Sequence, residues 1–295
     1  MTVFETIILG VVEGFTEFLP VSSTGHLILS SHLLKLEQSN FLKSFEIAIQ
    51  LGAILSVVVL YFKKFLLNLE VIKRIGVAFL PTAVVGFLLY GFIKNVLLGS
   101  TATVLWSLLL GGIALIVFEF WHRGKEKTPP QAFPLTAIQK RGGLPAGQAA
   151  IRQLAEERGG LGAWQAEERG VPSLSYAHCF FIGLFQALAV IPGVSRAGAT
   201  ILGGLWLGVP RKTIVEFSFL LALPTMAGAT GLDLVKNVSS FSYDQFGILA
   251  VGFVASFITA VLAIKFLLSF IQKHTFVSFG IYRIILAIAF FTIFS

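Results

Sequence analysis

Glu13 and Glu17 stand four residues apart in GVVEGFTEFLPVSSTGH, Gly10 to His26, a stretch otherwise apolar enough to sit in a bilayer. On a helix that spacing places both carboxylates on one face, one turn apart. Pro20 ends the helix, because proline lacks the N–H and clashes with the preceding turn. Ser22, Ser23 and Thr24 follow as hydroxyls able to cap a new helix, with His26 in its first turns. A second polar island, PGVSRAGAT from Pro192 to Thr200, sets Arg196 beside Ser195 and ahead of Gly198 and Thr200. Ionisable groups at the centre of a bilayer cost roughly 2.5–3.5 kcal/mol each on insertion scales, so they are rarely decorative. Polar groups gathered at a break between two short helices read as a site. Snorkelling from a helix end, the plainer account of an intramembrane glutamate, suits Glu5 better.

The residue types suggest anion chemistry. A buried arginine needs a counter-anion, and its planar fork matches phosphate bidentately. Helix N-terminal N–H groups at a break make a ready anion cradle. The plain alternative is that Arg196 pairs with Glu13 or Glu17 for structure alone. Against that, a structural pair would not require hydroxyls at both breaks. Ser23 and His26, three apart, could act as nucleophile and base in either order. Glu13 and Glu17 could bind a divalent cation, orient His26 or move a proton. The catalytic candidates are thus Glu13, Glu17, Ser23, His26 and Arg196. Ser22, Thr24, Gly193, Ser195, Arg196 and Thr200 are candidates for substrate binding, and Glu13 and Glu17 for metal. His32, His122, His178 and His274 lie near segment ends and suit solvated or interfacial roles, while Lys265 and Arg283 suit snorkelling or pairing within the bundle, with an inward-facing Arg283 left open. Cys179, the one cysteine, suits apolar filling.

These residues need a membrane fold to position them. The 295-residue chain is 56% hydrophobic and 13% charged, where a soluble domain carries about 25% charged residues. MTVFE has neither a basic n-region nor a cleavage site, so it does not read as a secretory signal. The two segments flanking Pro20 are each too short to span a bilayer, which needs about 20 apolar residues. Together, over residues 2–36, they read as a re-entrant hairpin. Spans are expected at Phe45–Phe62, Ile75–Phe92 and Thr101–Trp121, closing a first repeat over 1–123. Residues 124–175, rich in Gly, Pro and mixed charge and repeating AEERG at Ala155 and Ala166, read as a polar cytoplasmic loop. Gly183-Leu-Phe-Gln186 and Ile191-Pro192-Gly-Val-Ser195 then echo the opening motif. They predict a second re-entrant hairpin over 176–209, followed by spans at Thr213–Val235, Phe246–Phe270 and Thr275–Phe294. The basic loops at Lys63–Arg74 and His122–Ser175 share a side, which the positive-inside rule makes cytoplasmic. Three spans per half is odd, so the second repeat, 176–295, is inverted relative to the first. The expected fold is an all-α, multi-pass membrane protein: an inverted-topology repeat with two re-entrant hairpins and six transmembrane helices, its site where the breaks meet. Its basic charge suits anionic headgroups, and no aromatic-basic pattern points to nucleic acid.

EGFTEFLPVSSTGH together with PGVSRAGAT strongly resembles the bacterial undecaprenyl-diphosphate phosphatase family, often called the bacitracin-resistance protein. FEIAIQLG at Phe45–Gly52 and EFSFLLALP at Glu216–Pro224 are also similar to it, so only about 128–172 falls outside the resemblance. The resemblance implies a hydrolase of the bacterial cytoplasmic (inner) membrane that removes the terminal phosphate of undecaprenyl diphosphate. That reaction recycles the carrier lipid for cell-wall synthesis and confers bacitracin resistance. It also implies a divalent cation, Mg2+ or Ca2+, an isoprenyl diphosphate lipid and membrane lipids as partners, and leaves a homodimer open. By the family's motifs Glu13 and Glu17 are the acidic pair, Ser23 the hydroxyl, His26 the histidine and Arg196 the phosphate-binding arginine. Ala197 stands where the family usually has serine, and the loop at 128–172 exceeds the usual connection. Lipid phosphatases with a downstream His-x-x-x-Asp fit less well, since residue 278, four beyond His274, is Ser278. A transporter or flippase of the same lipid is the alternative that inverted repeats allow, and a membrane scaffold the weaker third.

Overall fold

The computed structural model describes residues 1–37, 39–63, 67–89, 100–123, 170–237 and 245–294. Every regular element among them is helical. Most of the expected polar loop lies outside the described residues, as do Lys64 and Lys94. Helices α1 (Val3–Thr16) and α2 (Ser23–Leu33) flank the first break, and α3 (Asn40–Tyr61), α4 (Leu69–Leu88) and α5 (Thr101–Arg123) follow. Helices α6 (Tyr176–Ala187) and α7 (Arg196–Trp206) flank the second, followed by α8 (Arg211–Asn237), α9 (Phe246–Phe270) and α10 (Val277–Phe294).

Local chemistry sets these ends. Thr2 and Glu5 form a reciprocal capping box at the start of α1, so Glu5 serves its own helix N-terminus rather than snorkelling. Helix α1 ends at Thr16, earlier than Pro20 itself requires; the residue before a proline avoids the helical region, and the chain unwinds ahead of it. At the second break α6 passes into a short 3-10 turn, Leu188–Val190, and Ile191 before Pro192 is extended (φ −76°, ψ 121°).

The surface is apolar, and the mainly apolar interior also encloses ionisable and polar groups. On α5, Leu110, Ile113, Val117 and Phe120 form an exposed stripe at helical spacing, and on α9 so do Val254, Ile258, Leu262 and Phe266. Meanwhile Glu13, Glu17, Glu119, Gln186 and Arg283 are buried. That distribution suits hydrocarbon outside and paired polar groups within. Helices α3, α4, α5 and α9 are long and apolar enough to cross a membrane, and Tyr176–Val190 and Val277–Ile293 are shorter apolar helices. The span expected at Thr213–Val235 falls within the 27-residue α8.

Helix α1 packs on α9 and α3, α6 on α4, α3 on both α8 and α9, α8 on α4, and α5 on α10. The α1–α9 contact explains the glycines of GVVEG. A Cβ on Gly14 would overlap the Ser256 carbonyl oxygen, and one on Gly10 would lie 2.6 Å from that of Gly252. Only bare backbones approach this closely, as small-residue faces of membrane helices do. The approach holds Glu13, between the two glycines in sequence, inside the bundle.

Candidate active site

The site is built from two chain breaks that meet. At the first, Ser22 has a φ of +74°, a left-handed conformation costing about 1–3 kcal/mol in a non-glycine residue. Its hydroxyl accepts from the Gly25 N–H at 3.4 Å, and its carbonyl accepts from the His26 N–H at 3.2 Å. At the second, Gly193 has a φ of +89°, and a Cβ there would lie 2.7 Å from the Val104 carbonyl oxygen. Ser195 caps α7, accepting from the Gly198 N–H at 3.0 Å and donating to the Leu19 carbonyl of the other break at 3.4 Å.

Arg283, on α10, ties the breaks together. Its guanidinium donates to the carbonyls of Pro20 (3.3 Å), Gly193 (3.1 Å), Ser107 (2.9 Å) and Leu108 (3.3 Å). The side chain is buried, so it points inward instead of snorkelling. The Pro20 and Gly193 carbonyls are left over where helices break, and those of Ser107 and Leu108 belong to α5.

At the centre the Ser23 hydroxyl donates a short hydrogen bond to Glu17 Oε2. Glu17 Oε1 accepts from Arg196 Nη2 at 3.1 Å, and Arg196 Nη1 donates to the Ser218 carbonyl at 2.9 Å. Arg196 Nε is buried with no partner among the described residues. A cavity of about 140 Å³ opens here, and Glu17, Ser22, Ser23, Thr24, Ser195 and Arg196 are among its lining residues. The N-termini of α2 and α7 therefore face one cavity, adding two sets of N–H groups and two positive dipole ends to the arginine. A hydroxyl bonded to a carboxylate, next to a cradle for negative charge, has the geometry of an activated nucleophile with an anion-stabilising partner.

Glu13 sits behind Glu17, fully buried and within hydrogen-bonding reach of the Glu17 carboxyl group, and neither of its oxygens meets an N–H or hydroxyl donor among the described residues. A buried carboxylate without a donor calls for a proton or a metal ion. Among the described residues, three or more His, Cys, Asp or Glu side chains nowhere gather into a metal cluster. Two carboxylates nevertheless fit a hard cation of the magnesium type, which typically takes one or two carboxylates and completes its shell with phosphate and water.

Of the residues singled out in the sequence, Glu17, Ser22, Ser23, Thr24, Ser195 and Arg196 line the cavity, and Glu13 backs it. Gly193 and Thr200 shape the second break instead: the Gly193 carbonyl faces Arg283, and the Thr200 hydroxyl bonds the Arg196 carbonyl at 2.8 Å. The expected Ser23–His26 dyad is not formed. His26 Nδ1 bonds the Ser22 carbonyl at 2.7 Å, and Nε2 lies 2.7 Å from the Tyr282 hydroxyl. The carbonyl partner requires Nδ1 to carry the proton, so Nε2 is the acceptor for Tyr282. Gln50, inside the FEIAIQLG stretch but not singled out there, and Met226, outside every quoted motif, also line the cavity. Gln186 takes the place of Glu13 in the second half. Its amide donates to Thr82 Oγ1 at 3.0 Å and accepts from Thr200 Oγ1 at 3.4 Å, a satisfied neutral pair where the first half holds a bare carboxylate.

The fold and the site define a multi-pass helical membrane protein with a buried polar cavity lined by an arginine and an acid-paired serine. The bacitracin resistance protein BacA family matches residues 6–289. The chain belongs to that family. It is 47% identical to an undecaprenyl-diphosphatase of Sulfurihydrogenibium sp. (strain YO3AOP1), covering 99% of both chains. An undecaprenyl-diphosphatase of Aquifex aeolicus is 43% identical over 98% of each chain. A third, from Thermus thermophilus, is 42% identical over 97% of this chain and 95% of its own.

Proposed function

We propose that this protein hydrolyses undecaprenyl diphosphate to undecaprenyl phosphate and inorganic phosphate, returning the carrier lipid to cell-wall synthesis and conferring bacitracin resistance. The observation that carries the reading is the Ser23–Glu17–Arg196 chain at a cavity where two helix N-termini meet. Arg196 and the N–H groups hold the terminal phosphate, with the Arg196 Nε as one donor toward it. Ser23 Oγ attacks the terminal phosphorus as its proton passes to Glu17. The bond from that phosphorus to the bridging oxygen breaks, and Glu17 hands the proton to the departing lipid phosphate. Glu17 then deprotonates the water that attacks the phosphoserine, and Ser23 Oγ recovers the proton as its bond to phosphorus breaks. The direct contact between Ser23 and Glu17 supports serine as the nucleophile. His26, committed to Ser22 and Tyr282, positions the start of α2. Glu13 and Glu17 would hold a Mg2+ or Ca2+ ion, which supplies positive charge against the phosphate oxygens. Purified protein in detergent should release phosphate from undecaprenyl diphosphate and lose that activity to a chelator. A carrier of the same lipid would release none, which would overturn the reading.

The finer architecture we propose is the inverted repeat, 1–123 and 176–295, with re-entrant hairpins entering from opposite faces of the bacterial inner membrane. Its support is that the main packing pattern exchanges with itself when the halves are swapped: α1 on α9 corresponds to α6 on α4, and α3 on α9 to α8 on α4. Single cysteines at Glu37, Lys73, Lys212 and Lys273, in a chain with Cys179 replaced by alanine, test it. Glu37 should label from outside and the three lysine positions only from the cytoplasm. Labelling of Lys73 and Lys212 from opposite faces would exclude this topology.

A further inference from the structure

A second, larger cavity of about 610 Å³ lies between α5 and the α6–α7 hairpin. Its wall is almost wholly apolar, with Ala114, Val117, Phe118 and Trp121 from α5 and Leu202 and Trp206 from α7; its polar lining residues are Ser195 and Arg283. Two lining residues, Val194 and Ser195, also line the polar cavity. The two spaces therefore adjoin through the cap of α7, the helix whose first residue is Arg196. Val117, Trp121, Leu188 and Trp206 are exposed, so the groove opens on the membrane-facing surface of the bundle. Away from Ser195 it runs to an aromatic cluster in which Trp121 stacks on Trp206 at 5.0 Å and Phe118 on Trp206 at 6.4 Å.

We infer that this groove binds the phosphate-proximal isoprene units of the substrate, with the rest of the tail in the bilayer. The inference rests on the hydrolase reading and adds the site that selects the lipid. Three observations fix the occupant. The groove adjoins the anion cradle, so a single amphiphile can fill both. Its lining carries no carboxylate, and its two polar groups sit at the end nearest the phosphate. Ala114, Gly198 and Ala199 keep the walls low, leaving room for a branched chain, and aromatic faces at the far end suit the flat double bonds of an isoprenoid. Tail binding there would also place the diphosphate, since burial of a remote apolar part can be used to orient a reacting group.

The test uses the full chain in two ways. First, an isoprenyl diphosphate with a photoreactive group on its second isoprene unit is activated on the unmodified protein. Its label is expected on Ala114–Trp121 and Ala199–Trp206, and to be displaced by farnesyl diphosphate. Label confined to other helices overturns the inference, as does equal, undisplaced labelling of the groove by a photoreactive phosphatidylglycerol, which would make it a site for bulk lipid. Second, Ala114→Trp and Ala199→Phe fill the groove from opposite walls. For each, the ratio of kcat/KM on undecaprenyl diphosphate to that on isopentenyl diphosphate should fall about tenfold or more, through KM, as expected for losing the burial of about two methylenes. An unchanged ratio in both folded variants overturns the inference. Groove labelling without phosphate release from any substrate would leave the groove standing and remove the hydrolase reading. Phosphate release with the label elsewhere would do the reverse.

Discussion

Arg196→Lys is expected to lower turnover on undecaprenyl diphosphate about 10²- to 10³-fold, the usual effect of removing a donor aimed at developing negative charge. The charge is conserved, so the loss measures geometry. Arg196 spends Nη1 on the Ser218 carbonyl and Nη2 on Glu17 Oε1, which leaves Nε buried with no partner among the described residues. A lysine has one nitrogen on a flexible stem, so it cannot brace against Ser218, hold Glu17 and meet a phosphate from three separate points. The plainer role for Arg196, as a structural partner for Glu17, predicts otherwise. Lysine would keep the ion pair, and turnover of the folded fraction would stay within a few fold. Phosphate release normalised to protein that is monodisperse in detergent separates the two. Near-normal turnover there would make the arginine structural and remove the phosphate clamp.

How much of this site could be read from the sequence follows from what each contact depends on. Breaks near Pro20 and Pro192 were legible because proline acts through its own backbone, and the hydroxyls after them because N-caps are local. That the two breaks would face each other was legible more coarsely, from the echo of one motif in the other. The hydrogen-bond acceptor of the Ser23 hydroxyl was not. Spacing on a regular helix suggested His26, three residues on, but the acceptor is Glu17, six residues back across an irregular turn. His26 is held by Tyr282, 256 residues away, and no local pattern encodes that distance. Arg283 was open to detection, since an arginine in an apolar helix implies an inward role. Which acceptors it would find depended on carbonyls freed at both breaks and on those of Ser107 and Leu108 in α5. The difference between Glu13 and Gln186 was visible in the two motifs as an acid facing an amide. Its consequence became clear only once Gln186 proved partnered at both amide atoms by Thr82 and Thr200 while Glu13 had no N–H or hydroxyl donor among the described residues.

Glu17→Gln and Glu13→Gln should fail in different ways, although the residues are one turn apart. Glu17 is engaged through both oxygens, to Ser23 and to Arg196. Glutamine keeps the shape and the hydrogen-bonding reach but can no longer accept the serine proton. Turnover should fall about 10²- to 10⁴-fold, the range for loss of a positioned general base, and extra cation should not restore it. Glu13 has two buried oxygens with no donor among the described residues, so its carboxylate is the better placed to meet a cation. Glu13→Gln should therefore move the half-saturating magnesium or calcium concentration upward by about 10-fold or more, a shift of the size seen on altering groups that support a metal site. Much of its turnover should return at high cation. The measurement is phosphate release against cation concentration for both variants and the unaltered chain. If Glu17→Gln is rescued by cation, its carboxylate is chiefly a ligand and the base must be sought elsewhere. If Glu13→Gln leaves the curve unmoved, the buried carboxylate is held by a proton. Glu13 would then influence the reaction only through the electrostatics of its neighbour.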